Sequence, residues 1–282
     1  MPDNNAENQP NHLQKANSAS QKKYALVTGG GRGIGRAVAL RLAQEGYQVA
    51  ITCRSSVQGA KDLQAELLRL GSDTQVYQAD LSDLDQLNRA FDQYMAHYPA
   101  LDVLVNNAGA TIEGGFLQTT PEQFNACVAT DLRAPFFMAQ RAAKYMIEKD
   151  TQGLIVNIAS NQGISTFENY PVYGSVKAGL IKLSKHMALE LARYGIRVNT
   201  VSPGYTNVGW GGTDQPASRK LQKMIPLGGF GRPEQVAGIV AFLTTADAGY
   251  MTGANLLADG GLDLPVRADV PVSWIPDSIL ED

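Results

Sequence analysis

The chain has 282 residues, 44% of them hydrophobic, and a formal net charge of −3. That length fits one large α/β domain with a shared core, and the near-neutral charge argues against a broad basic field for nucleic acid. Cys53 and Cys127 are too few for a disulfide scaffold, and His12, His97 and His186 lack the spacing of a metal site. No apolar run reaches the length of a membrane span.

Residues 1–22 (MPDNNAENQPNHLQKANSASQK) are polar, rich in Asn and Gln, and without the apolar stretch of a secretory signal. They read as a disordered extension, and the chain is expected in the cytoplasm. Beyond them, short β-branched runs alternate with amphipathic stretches. In chain order the pattern predicts strand Tyr24–Thr28, helix Ile34–Gln44, strand Gln48–Thr52, helix Val57–Leu70, strand Gln75–Ala79 and helix Leu84–His97. It continues with strand Val103–Asn106, helix Gln123–Ile147, strand Leu154–Ile158, helix Tyr173–Tyr194, strand Arg197–Val201, helix Pro233–Thr244 and strand Asn255–Ala258. Such alternation predicts one doubly wound, Rossmann-type domain over 23–261, a parallel sheet with helices on both faces. The glycine-rich segment 205–232 interrupts the rhythm and reads as a substrate lid. The tail 262–282, with Trp274 and Ile275, is expected to pack on the core or on a neighbouring subunit.

The first strand runs into TGGGRGIG, Thr28–Gly35. Glycines between a strand and a helix let the backbone approach phosphate and aim N–H groups at it. The spacing matches T-G-x-x-x-G-x-G through Gly29, Gly33 and Gly35, with Gly31, Arg32 and Ile34 between them. After the second strand, where a carboxylate would hold a ribose 2′-hydroxyl, stand Cys53, Arg54, Ser55 and Ser56. Two arginines, Arg32 and Arg54, and no carboxylate suit a 2′-phosphate, which predicts NADP(H) over NAD(H). Asp80, followed by Leu81, ends the third strand and is either an acceptor for adenine or a helix cap. Asn106, Asn107, Ala108 and Gly109 end the fourth strand, where amides and small residues suit close packing beside the cofactor.

Tyr173 and Lys177 are one helical turn apart and share a face. A free phenol titrates at about 10, and a neighbouring ammonium favours the phenolate. Such a phenol can protonate a carbonyl oxygen while hydride arrives at carbon. Ser160, upstream of both, can hydrogen-bond the same oxygen.

These motifs, with VNTVSPG at 198–204, occur in the order of the short-chain dehydrogenase/reductase family, and the chain resembles its compact branch over residues 23–261. The resemblance implies that Tyr173 is the acid/base and that Ser160 orients the substrate oxygen. It implies that Lys177 binds the nicotinamide ribose and tunes Tyr173, and that Pro203 and Gly204 flank the nicotinamide. One departure stands out. Where the family usually carries Asn, this chain has Asp131, in the run Asp131-Leu132-Arg133-Ala134-Pro135-Phe136. In the family that Asn is thought to hold a water for proton relay; a carboxylate there can pair with Lys177 and shift the pH profile.

By the same analogy the stretch between Ser160 and Tyr173 lines the cleft mouth. Asn161, Gln162, Glu168, Asn169, Phe167 and Tyr170, with Tyr205, Asn207 and Trp210 from the lid, mix amides, a carboxylate and aromatic rings. That mixture predicts a small polar substrate, sugar- or polyol-like. The alternative is a 3-oxoacyl thioester on an acidic carrier protein, met by Arg133, Arg141, Lys144 and Lys149. An alternative of another class is a cofactor-binding sensor or scaffold that has lost turnover. The resemblance also implies a homo-oligomer, dimer or tetramer, built on the helices at 123–147 and 173–194.

Overall fold

The structure is a computed structural model that describes residues 22–209 and 216–264. Expectations for the extension before 22, for Trp210, and for the tail around Trp274 and Ile275 fall outside the described residues.

Seven strands form one parallel sheet in the order β3-β2-β1-β4-β5-β6-β7. They are β1 (Lys23–Val27), β2 (Tyr47–Cys53), β3 (Val76–Gln78), β4 (Val103–Asn106), β5 (Leu154–Ile158), β6 (Arg197–Pro203) and β7 (Asn255–Ala258). The sheet is covered on both faces, so its central strands are apolar along their length rather than alternating. Side chains still divide by parity. Ala25 and Val27 join one core with α1 (Gly33–Gln44), α2 (Val57–Arg69) and α8 (Pro233–Leu243). Leu26 joins the other, with α3 (Leu84–His97), α5 (Ala134–Glu148) and α6 (Pro171–Leu191). Strand order reverses between β1 and β4, which opens a crevice at their carboxyl ends, where ligands bind in such sheets.

The helix expected over Gln123–Ile147 is present as one continuous helical path from Pro121 to Glu148, widened by an internal π turn. A helix α4 (Pro121–Val128) passes through a wide π turn at Ala129–Arg133 into α5. Pro135 explains the wide turn: it offers no N–H to the carbonyl of Asp131, and its ring crowds that carbonyl. Thr120 caps α4, accepting from the Gln123 N–H at 3.3 Å while the Gln123 side chain accepts from the Thr120 N–H at 3.0 Å. A further short helix, α7 (Pro216–Lys223), lies inside the segment read as a lid. The helix α6 begins at Pro171, in its first turn, rather than at Tyr173.

A buried polar chain ties the centre of the sheet to α6. Asn106 Nδ2 donates to Asn157 Oδ1 at 2.9 Å, and Asn157 Nδ2 to Ser184 Oγ at 2.8 Å. Ser184 in turn donates to the Leu180 carbonyl at 2.7 Å. No described helix is long and apolar enough to cross a membrane.

Candidate active site

Each motif residue is placed by the element beneath it. The hydroxyl of Thr28, buried at the end of β1, accepts the N–H groups of Asn107 and Ala108, each at 2.9 Å. Asn107 Nδ2 donates back to the carbonyls of Thr28 and Gly29, at 2.9 and 3.2 Å. The glycine turn and the end of β4 therefore hold each other. Gly29 and Gly33 have φ of +69° and +56°, where a side chain would be strained. Gly35 lies behind the turn: a Cβ there would stand 2.4 Å from both Gly29 O and Asn107 Nδ2. Its role is packing, and it does not line the recess in front.

That recess, about 250 Å³, is lined by Gly29, Gly31, Arg32, Gly33, Ile34, Arg54, Ser55, Asp80, Leu81, Asn107, Ala108 and Gly109. Arg54 Nη1 is 3.7 Å from Asp80 Oδ2. Burial pushes the Asp80 carboxyl up, but the hydroxyl and N–H of Ser82 and the Arg54 guanidinium outweigh it and hold the group below its ordinary range. The cap of α3 is Asp83, which accepts from the N–H groups of Asp85 and Gln86, while Asp80 Oδ1 accepts from the N–H and hydroxyl of Ser82 at 3.0 and 2.7 Å.

The recess opens into a larger cleft of about 540 Å³, and Ile34, Asn107 and Gly109 line both. Here Ser160 from the end of β5, Tyr173 and Lys177 from α6, and Pro203 and Gly204 from the end of β6 come together with Asn161, Gln162, Tyr170 and Tyr205. Lys177 Nζ lies 5.5 Å from the centre of the Tyr173 ring and donates to the Ile158 carbonyl at 3.2 Å. Ser160 Oγ accepts from the Gln162 N–H at 3.2 Å. Burial and the nearby Glu113 push the Tyr170 phenol up.

The π turn faces Asp131 inward. It is fully buried, its Oδ1 accepts from the Ala110 N–H at 2.9 Å, and its Oδ2 is 3.9 Å from Lys177 Nζ. Burial raises the Asp131 carboxyl above its ordinary range, opposed by the Lys177 ammonium and the Ala110 N–H. Burial works against the Lys177 ammonium too, but Asp131 opposes it, and the amine is raised overall. Cys127 from α4 completes the buried group, its thiol pushed up to about 11 by burial and by Asp131.

A family model described as Enoyl-(Acyl carrier protein) reductase matches residues 29–263. The chain belongs to the short-chain dehydrogenase/reductase family. Within this family it is 36% identical over 243 residues to 3-oxoacyl-[acyl-carrier-protein] reductase FabG of Staphylococcus aureus, covering 85% of this chain and 98% of that one. It is 32% identical over 245 residues to 3beta-hydroxysteroid dehydrogenase 1 of Eggerthella lenta, covering 86% and 94%. Among solved structures, an acetoin dehydrogenase from Enterobacter cloacae superposes with a TM-score of 0.83 at 34% identity, covering 89% of this chain and 100% of that one. Family members are oxidoreductases acting on CH–OH groups with nicotinamide dinucleotides, and this chain is an enzyme of that kind.

Several cleft residues escaped the sequence reading. Glu113 and Thr111 come from the loop after β4, and Ser218 and Leu221 from α7. Their only signal was membership of long loops after strand ends, which does not say which side chains return to the cleft. Thr28 both ends the first predicted strand and opens the glycine motif, but that its hydroxyl ties the turn to the end of β4 has no signal in the sequence.

Proposed function

We propose that this chain is an NADP(H)-dependent carbonyl reductase or alcohol dehydrogenase for a small polar substrate. The observation that carries the reading is the convergence of Ser160, Tyr173 and Lys177 on one cleft that continues into the recess under the glycine turn. The donor set of the recess suits a dinucleotide: the first N–H groups of α1 have no partner within the helix, and two guanidinium groups flank them. Gly29, Gly31, Arg32, Gly33 and Ile34 hold the pyrophosphate. Arg54 and Ser55 take the 2′-phosphate, and Asp80 and Leu81 border the adenine. Asn107, Ala108, Gly109, Pro203 and Gly204 border the nicotinamide end, where Lys177 meets the ribose. When bound, the nicotinamide supplies or takes up hydride.

The protein's own part is the proton. In reduction Tyr173 gives its hydroxyl proton to the carbonyl oxygen, and Ser160 donates a hydrogen bond to that same oxygen. The Lys177 ammonium stabilises the phenolate that remains. Oxidation of an alcohol runs the same steps backwards.

Gln162 Oε1, buried in the cleft wall, has no hydrogen-bond partner among the described residues. It suits a donor on the substrate, such as a second hydroxyl. Asn161, Tyr170 and Tyr205 complete this wall, and Glu113 adds a carboxylate. The carrier-protein reading has the FabG relatives in its favour. Three of its four basic residues, however, have local partners: Arg133 donates to the Ser82 carbonyl at 2.6 Å, Arg141 pairs with Asp92, and Lys149 with Glu148 at 3.0 Å. Exposed Phe136 and Leu189 on α5 and α6 support a homo-oligomer.

The test follows NADPH and NADH absorbance against sugar-derived, short hydroxy-ketone and 3-oxoacyl thioester substrates, with Tyr173→Phe as control. Turnover with NADPH is expected, at least ~10²-fold lower in Tyr173→Phe with cofactor binding retained. Preference for the thioester overturns the substrate class. Binding of NADPH with no turnover in either form supports the sensor reading instead.

A further inference from the structure

We propose that Asp131 is the fixed counter-charge of Lys177, a positioning residue that sets the pH range in which Tyr173 exchanges its proton. The proposal rests on the acid/base reading of Tyr173 given above. Its basis is geometric. A carboxylate with no solvent exposure is pinned at one oxygen by the Ala110 N–H, and its other oxygen has no hydrogen-bond partner among the described residues. That oxygen lies 3.9 Å from Lys177 Nζ, itself on a residue only 4% exposed. Gly109 makes the approach possible: a Cβ at that position would stand 2.8 Å from Asp131 Oδ1 and 3.5 Å from Lys177 Nζ.

The surroundings leave these two charges to each other. From α6 come Lys177 and Tyr173, and from α4 comes Cys127. The loop after β4 offers the Ala110 N–H and β5 the Ile158 carbonyl, neither of them charged. A buried ammonium without an anion is strongly unfavourable, and so is the carboxylate without its cation. With both present, each charge offsets the other's burial, and the field that reaches Tyr173 is that of the pair rather than of a lone ammonium.

Two experiments on the full chain decide the matter. The first is the pH profile of kcat/KM for alcohol oxidation. In Asp131→Asn the acidic limb is expected to move by about one pH unit, the scale of one charge acting through a protein interior. An unmoved limb overturns the tuning.

The second needs no turnover: thermal melting of Asp131→Asn, Lys177→Met and the double variant. Removing both charges leaves neither stranded, so the double variant is expected to melt above the Lys177→Met single. Melting losses that simply add overturn the pairing, as does a double variant that folds no better than Asp131→Asn alone. If the wild-type chain reduces no carbonyl, the acid/base reading fails while the melting series still decides whether the pair exists.

Discussion

Arg54 stands at the mouth of the recess with 60% of its side chain exposed and Asp80 at 3.7 Å. A guanidinium so placed can turn to a phosphate with little rearrangement, and its hydrogen bonds to that dianion are of the charge-assisted kind. Replacing Arg54 with Ala is therefore expected to weaken NADPH binding about 10- to 100-fold and to leave NADH binding unchanged. Titration calorimetry with both cofactors checks this, and an unchanged NADPH constant sinks the phosphate clamp. At this scale much of the candidate site was legible in the sequence. Tyr173 and Lys177 announce a shared helical face by spacing alone, and Arg54 is conspicuous because a carboxylate is missing beside it. Glu113 and Ser218 were not legible, because reaching the cleft depends on where a loop returns.

At the scale of elements, all the strands among the described residues were legible. They are short apolar runs separated by helical stretches, and β2, β4, β5 and β6 are buried along almost their whole length. The long helix after Asn107 was legible from its apolar pattern, but the π turn at Ala129–Arg133 within it was not, because pattern and helical backbone both run through it. Pro135 was the signal for that turn, and periodicity passed over it. The amino end of α4 depends on the Thr120 capping box. Thr120→Ala removes that acceptor and is expected to lower stability by about 1 kcal/mol, measurable by urea denaturation. A loss within error would mean that the helix start is held by tertiary packing instead. Helix α7 was hidden within a loop rich in glycine, and its single polar stretch of 8 residues is too short to show a helical period.

For the whole molecule, two cores on opposite faces of one sheet account for most of the buried apolar surface. What they leave out is informative. Leu189 on α6 is 79% exposed and Phe136 on α5 is 39% exposed, an arrangement that suits an isologous contact between copies. Light scattering is expected to show an oligomer, and Leu189→Asp to shift it towards a smaller species. A monomeric wild-type chain would discard the oligomer proposal. The fold class was readable because strand–helix alternation admits few topologies. The assembly was not, since an apolar helix position looks the same whether it faces its own sheet or a second copy.

The buried chain from Asn106 through Asn157 to Ser184 has a consequence for folding fidelity. Parallel apolar strands discriminate poorly between alignments that differ by two residues, because such a slip returns every side chain to its proper face. The amides do discriminate. Displaced by two positions, they would be left dry and without partners, a penalty of about 1–3 kcal/mol for each unsatisfied group. Since Ser184 lies on the helix that bears Tyr173 and Lys177, the check that aligns β4 with β5 also aligns those two side chains with the strand ends that line the cleft. An error in sheet alignment is thereby rejected before it can become a misassembled active site.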